Sequence, residues 1–298
     1  MSLPEAFPAE LLAPPDPAAL PLPLPRATPG VRHLRGVVYA VREGSRPLEM
    51  DLWLPAPAPG PVPVIVFVHG GAWRTGLRDD LGPRFRHWQP GPFARLVRAG
   101  FAVASPDYRL SGEVTHPGQL RDLRAAVAWL RTRSAELALD ADRTVLWGES
   151  AGGHLAALLA LTADAVPARG CVTWYAPTDL THLAEDQPPG GYDPTDPGTF
   201  EALLIGGALT DLPDRARDAS PVSHVTSGAP PFLVLHGTHD VIVPYAQGGR
   251  LVSALRGAGA HAELVPVQGG DHLWVGIPDD EVERCFTASL DFVVRCVR

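Results

Sequence analysis

Gly148-Glu149-Ser150-Ala151-Gly152 is the stretch that decides how the rest of the chain reads. Thr144-Val145-Leu146-Trp147 before it reads as a short buried strand. Gly153 to Thr162 after it reads as an Ala/Leu-rich helix. A strand, a sharp turn and a helix form the setting in which G-x-S-x-G has a mechanism. The flanking glycines leave room for a strained backbone, and the turn lifts the Ser hydroxyl to the top of a sheet. The helix N-terminus beneath it offers free N–H groups and the positive end of a dipole to a developing oxyanion.

Working outward, Val64-Ile65-Val66-Phe67-Val68 is a continuous apolar run, as expected of a strand buried on both faces. It ends in His69-Gly70-Gly71-Ala72-Trp73, where glycine lets the backbone itself approach a substrate oxygen. A plain glycine turn is the alternative reading of that segment. Phe232 to His236 is another buried strand, and its loop carries Asp240. Val265-Pro266-Val267 leads through Gln268-Gly269-Gly270-Asp271 to His272. Ser150, Asp240 and His272 thus follow one another just past the C-terminal ends of strands, where open α/β sheets keep their sites. Hydroxyl, carboxylate and imidazole in the order Ser…Asp…His suit nucleophilic acyl transfer.

Strands are expected at 36–42, 49–54, 63–68, 101–105, 143–148, 170–175, 231–236 and 262–267. Helices are expected at 91–99, 117–134, 151–163, 245–257 and 281–296. In 117–134, Leu120, Leu123, Val127 and Leu130 share one face while Arg121, Arg124 and Arg131 face water. Alternation of this kind predicts an α/β fold: a mostly parallel eight-stranded sheet with helices on both faces and an antiparallel hairpin at one edge. Residues 1–35 read as a Pro-rich arm, with prolines at 4, 8, 14, 15, 17, 21, 23, 25 and 29. Leu11, Leu12, Leu20, Leu22 and Leu24 give it apolar surface, so either a solvated tail or an arm across the pocket mouth fits. Residues 36–298 read as one domain. The Pro/Gly-rich insertion at about 180–220 is expected to form a small cap above the site.

These segments resemble the α/β-hydrolase superfamily of serine esterases, in the hormone-sensitive-lipase-like group and more closely its bacterial feruloyl-esterase and acetylxylan-esterase-like branch. The resemblance rests on His69 to Trp73, Asp107-Tyr108-Arg109-Leu110, Gly148 to His154, Tyr175 to Leu180, Ser220-Pro221-Val222 and Pro230 to Pro244. It runs from about residue 36 to the C-terminus. Ala72 stands where the lipase pattern H-G-G-G has its third glycine, which points to the H-G-G-x-W branch.

The resemblance implies an α/β-hydrolase fold. It also implies a carboxylic ester hydrolase with Ser150 as nucleophile, His272 as base and Asp240 orienting the imidazole. The N–H groups of Gly71, Ala72 and Ala151 would hold the oxyanion, and the reaction needs no cofactor and no metal. Short or aromatic acyl groups are expected, with Trp73, Leu180 and Trp274 as candidate pocket walls. Asp271 adjoins His272 and rivals Asp240 as the acid, but a sequence neighbour points elsewhere. Asp179, Glu149, His69, His154, His236 and His239 read as structural or hydrogen-bonding groups, with His69 bracing the oxyanion loop. Two alternatives stand beside this reading. One is an arylformamidase or small-amide hydrolase, which shares H-G-G-x-W. The other is a catalytically silent hydrolase fold acting as a receptor or interaction module.

A net charge of −8 disfavours nucleic acid or an anionic membrane as partner. Cys171, Cys285 and Cys296 are too scattered for a disulfide framework or a metal cluster. Neither a basic-then-apolar leader nor a spanning apolar run is present, so the expected location is cytoplasmic. The expected partner is a small-molecule ester, with a homodimer left open.

Overall fold

A computed structural model describes residues 16–58, 60–162 and 166–298. Its core is one sheet built from β1 (Arg26–Thr28), β2 (Val31–Ala40), β3 (Leu48–Pro55), β4 (Val62–Val68), β5 (Ala102–Pro106), β6 (Leu139–Glu149), β7 (Gly170–Trp174), β8 (Phe232–Gly237) and β9 (Ala262–Val267). The strand order is β1-β2-β3-β5-β4-β6-β7-β8-β9. Pairs β1–β2, β2–β3 and β3–β5 are antiparallel, and every pair from β5–β4 to β8–β9 is parallel. The helices are α1 (Pro92–Arg98), α2 (Gly118–Thr132), α3 (Ser134–Leu137), α4 (Ala151–Leu161), α5 (Leu183–Asp186), α6 (Phe200–Ile205), α7 (Pro213–Asp218), α8 (Tyr245–Gly257) and α9 (Asp279–Val297).

The strands alternate, and the two faces of the sheet bury two separate cores. From β4, Val64, Val66 and Val68 point toward α2, α4 and α8, while Ile65 and Phe67 point toward α1 and α9. Burying one such side chain contributes about 1.5–3 kcal/mol, so the all-apolar central strands fix the register strongly. α4 is buried along its whole length, which explains its lack of any polar face. Arg124 is half-buried on α2 and bonds to Thr162 Oγ1 at 2.7 Å, rather than facing water.

The sheet has nine strands, not the expected eight. The additional strand is β1, which pairs Arg26–Thr28 with His33–Val31 across a turn at Pro29-Gly30. All three of its residues are exposed, so no apolar alternation marks it, and Pro25 and Pro29 hide it further. β2 likewise begins at Val31 rather than 36. The described part of the N-terminal arm does not cross the pocket mouth. Instead it lies along α2 and β2: Trp129 Nε1 donates to the Pro17 carbonyl at 3.1 Å, and Arg133 Nη1 to those of Ala18 and Leu20 at 2.9 and 3.0 Å. Leu11 and Leu12 fall outside the described residues.

Among the described residues no helix is long and apolar enough to cross a membrane. The insertion at 180–220 folds as the short helices α5, α6 and α7, with a long irregular segment, 187–199, between α5 and α6. Leu204, Ile205 and Ala216 are buried in the core that contains α4.

Candidate active site

β6 delivers Ser150 and the turn into α4 holds it in a conformation few residues adopt. Ser150 has φ 52° and ψ −124°, a strain of about 1–3 kcal/mol that the surrounding packing must hold. Its N–H donates to the Trp174 carbonyl at 2.9 Å, and its own carbonyl accepts from His154 N at 3.0 Å. The two flanking glycines are steric necessities. A Cβ on Gly148 would collide with the Gly152 carbonyl, and one on Gly152 with the carbonyls of Val68 and His69.

The loops after β8 and β9 bring the other two groups to this hydroxyl. Ser150 Oγ lies 2.9 Å from His272 Nε2, and His272 Nδ1 lies 2.8 Å from Asp240 Oδ2. The remaining oxygen, Asp240 Oδ1, accepts from the N–H groups of Ile242 and Val243 at 2.9 and 2.8 Å. Burial alone would raise the Asp240 pKa, but hydrogen bonds from His236 and His272 outweigh it and hold the carboxyl at about 2. Asp271 plays a different part. Its Oδ1 accepts the backbone N–H groups of His272 at 2.7 Å and Val241 at 2.9 Å, tying the two loops together. An imidazole set between a hydroxyl and an ionised carboxylate can take the hydroxyl proton as that oxygen attacks an electrophile.

β4 leads into His69 and Gly70, and the chain then turns through Gly71, Ala72 and Trp73, all with positive φ. Thr75 N and Arg74 N donate back to the Gly71 carbonyl at 3.0 Å. Gly71 and Ala72 thus stand on the loop after β4, and Ala151 opens α4 directly after Ser150.

The BD-FAE family matches residues 50–255, more than half of the chain. Esterase LipC of Mycobacterium tuberculosis is 33% identical over 258 residues, covering 81% of this chain and 62% of LipC. Carboxylesterase NlhH of the same organism is 30% identical over 233 residues, covering 74% of this chain and 69% of NlhH. The chain belongs to the BD-FAE family. Among solved structures, a truncated carbohydrate esterase from gut microbiota superposes with a TM-score of 0.76 at 26% identity, covering 89% of this chain and 96% of that one. The sheet and its flanking helices are those of an α/β-hydrolase. Several curated relatives are longer: the chain spans 62%, 53% and 50% of LipC, LipQ and LipM. The BD-FAE match includes Ser150 and Asp240, while His272 lies beyond its end.

Not every residue singled out in this BD-FAE chain lines an opening. Trp73, Leu180 and Trp274, expected as pocket walls, are each 2% exposed or less. Trp73 turns inward at φ 56° and donates from Nε1 to His154 Nδ1 at 3.2 Å. Trp274, at φ 61°, sits edge-on to Tyr175 with ring centroids 4.6 Å apart, and Tyr175 meets the His272 ring at 4.7 Å. Leu180 is part of the core. They support the site from beneath and offer a substrate no surface.

The other histidines are placed as hydrogen-bonding groups. His154 Nε2 lies 2.6 Å from the Ala219 carbonyl, and burial drops its pKa to about 3, so it is the neutral ring its two bonds require. His236 Nε2 reaches the Val243 carbonyl at 2.8 Å, and His69 stacks on Tyr108 at 4.5 Å. Asp179 Oδ1 accepts from Thr181 at its own turn.

Glu149 is the group whose importance sequence reasoning underrated. It is buried beside Ser150, and its Oε1 accepts the Gly70 N–H at 2.6 Å, so it fastens the β6 elbow to the loop after β4. Burial is the largest influence on it and pushes its pKa up to about 7, against the Gly70 bond and the nearby His272 and Tyr175. The available signal was an acidic residue between two strand ends that both read as buried.

Proposed function

We propose that this chain hydrolyses carboxylic esters through an acyl-enzyme on Ser150. The observation that carries the reading is the unbroken line from Ser150 Oγ through His272 to Asp240, with both links under 3 Å at 2.9 and 2.8 Å. Ser150 Oγ attacks the ester carbonyl carbon while His272 Nε2 takes its proton. The carbonyl oxygen becomes an oxyanion met by the N–H groups of Gly71, Ala72 and Ala151. Collapse breaks the carbon–alkoxide bond, and His272 returns the proton to the departing alcohol. Water then repeats the sequence on the acyl-enzyme, which releases the acid and restores Ser150. Asp240, ionised and fixed by two N–H groups, holds the imidazole in the required tautomer and stabilises imidazolium. The names of LipC, NlhH and the gut carbohydrate esterase agree with ester hydrolysis.

The insertion at 180–220 serves in this reading as the cap. Arg74, just past the oxyanion loop, lies 6.0 Å over the Phe200 ring on α6, and Gln187 donates to the Ile242 carbonyl at 3.1 Å. Its packed core residues suit a fixed wall and short or aromatic acyl groups rather than a mobile lid. The test is a panel of p-nitrophenyl esters from acetate to dodecanoate, with an N-formyl arylamide beside them. Ser150→Ala should lower ester kcat/KM by on the order of a million-fold and abolish fluorophosphonate labelling. Equal turnover by the variant, or preference for the formamide, sinks the reading.

A further inference from the structure

Six large apolar side chains are exposed among the described residues, and three of them stand on the two loops that carry Asp240 and His272. These are Val241, Ile242 and Val275, at 69%, 57% and 53% exposure. The fold brings them to one edge. Val241 N–H donates to Asp271 Oδ1 at 2.9 Å, and Asp271 N–H donates to the Val275 carbonyl at 2.8 Å, so the two valines flank Asp271. Ile242 follows directly, and its carbonyl is tied to Gln187 of the insertion. Val275 N–H in turn bonds to the His272 carbonyl at 3.2 Å, which sets the edge on the His272 side of Ser150.

Many backbone donors of this edge are already taken. The N–H groups of Ile242 and Val243 are taken by Asp240, that of Val241 by Asp271, that of His272 by Asp271, and those of Asp271 and Val275 by carbonyls within the turn. A polyol laid over these three side chains would lose water from its hydroxyls and find mostly aliphatic carbon; the Asp271 carboxylate between the valines could receive one hydroxyl but not the rest. An alkyl or aryl group would bury apolar area at no such cost.

His272 is the group that hands a proton to the departing oxygen, so the alcohol half of the ester leaves across this edge. We propose that Val241, Ile242 and Val275 form the leaving-group subsite, and that the substrates are esters of apolar alcohols, alkyl or aryl, rather than acylated sugars. The proposal rests on the ester-hydrolase reading above.

The test holds the acyl group at acetate and varies the alcohol through methyl, butyl and hexyl, whose leaving oxygens have similar basicity, with a peracetylated xyloside as the polar comparison. Wild-type kcat/KM should rise by about tenfold or more from methyl to hexyl acetate, mainly through KM. In the combined Val241→Ser, Ile242→Ser, Val275→Ser variant that ratio should fall toward one. The three positions are exposed, so the variant is expected to fold, and the wild-type profile tests the proposal without it. A flat wild-type profile, a ratio the substitutions leave unmoved, or preference for the acetylated sugar overturns the subsite while Ser150-dependent acetate hydrolysis stands. If no acetate is turned over in a Ser150-dependent way, both readings fall together.

Discussion

Asp240 and Glu149 are two carboxylates buried in the same site, and their surroundings drive them in opposite directions. Burial raises both. Asp240 is brought down to about 2 because bonds from His236 and His272 outweigh its burial, and two backbone N–H groups fix its other oxygen. Glu149 is left at about 7 because burial outweighs the Gly70 N–H, the nearby His272 imidazole and the Tyr175 phenol. Depth of burial does not decide the charge of a buried acid; the number and quality of its donors do. The site thus holds one carboxylate that is charged across the working range and one that changes charge near neutrality.

The largest effect expected from this contrast is on catalysis. Replacing Asp240 by Asn keeps the shape but removes the charge and lets the imidazole settle in the wrong tautomer, so kcat should fall by on the order of ten-thousand-fold. Asp271→Asn should be far milder, since Asp271 bonds only to backbone N–H groups. Both are measured on p-nitrophenyl acetate with circular dichroism as the fold control. A near-neutral Asp240→Asn beside an inactive Asp271→Asn would exchange the roles assigned to the two.

Asp51 carries the contrast away from the site. It is fully buried at the start of the hairpin side of the sheet and, like Asp240, well supplied. It accepts from Gly36 N at 3.0 Å, Arg78 Nε at 2.6 Å and His33 Nε2 at 2.8 Å. Burial raises its pKa, yet the bonds from His33 and Arg78 prevail and hold it at about 2. Asp51→Ala strips these donors of their acceptor and should destabilise the fold by about 3–5 kcal/mol. A carboxyl lowered from 3.8 to about 2 stabilises the native state above pH 3.8, and that gain is lost as pH falls through 2. The difference between wild type and variant, followed by urea unfolding, should therefore shrink between pH 4 and pH 2. A cost under 1 kcal/mol at pH 7 breaks the rule that donor count governs.

The same contrast explains what the sequence could tell. The central strands, the β6–α4 turn and the order of Ser150, Asp240 and His272 were legible because each is a local pattern: an apolar run, a glycine-flanked serine, a glycine loop. The helices of the insertion were not legible: Phe200 to Ile205 is one short apolar segment in a Pro/Gly-rich stretch, and it folds as α6. What escaped reading depends on partners far along the chain. Glu149 meets Gly70 from 79 residues away, and Arg78 joins Asp51 and Asp107 from 27 and 29 residues away. Trp73 and Trp274 sit next to key residues in sequence, yet positive φ at both turns their rings into the core. The aliphatic edge at Val241, Ile242 and Val275 was hidden differently, since three ordinary residues become a surface only once two loops are joined.

The smallest of these effects is also the most specific to the contrast. Glu149 keeps its proton in the native state up to about pH 7, whereas an unfolded chain would release it near 4.5. A carboxyl raised in this way lets the native state keep its full stability below pH 4.5, and stability is lost as pH rises through 7. The span from 4.5 to about 7, at 1.36 kcal/mol per unit, puts the loss at roughly 3 kcal/mol or less above pH 8. Glu149→Gln cannot ionise, yet its amide oxygen can still accept the Gly70 N–H. The variant should match wild type at pH 4.5 and gain on it steadily up to pH 8, read as the difference in Tm between the two. Tyr108 and Tyr175 face the same carboxyl, but burial raises both phenols well above their ordinary range, so neither titrates in this window. His272 also faces Glu149, so the pair is compared in a His272→Ala background, where the same trend is expected. A Tm difference constant from pH 5 to 8 would mean that Glu149 is ionised in the native state like Asp240, and the contrast between the two acids would then be gone.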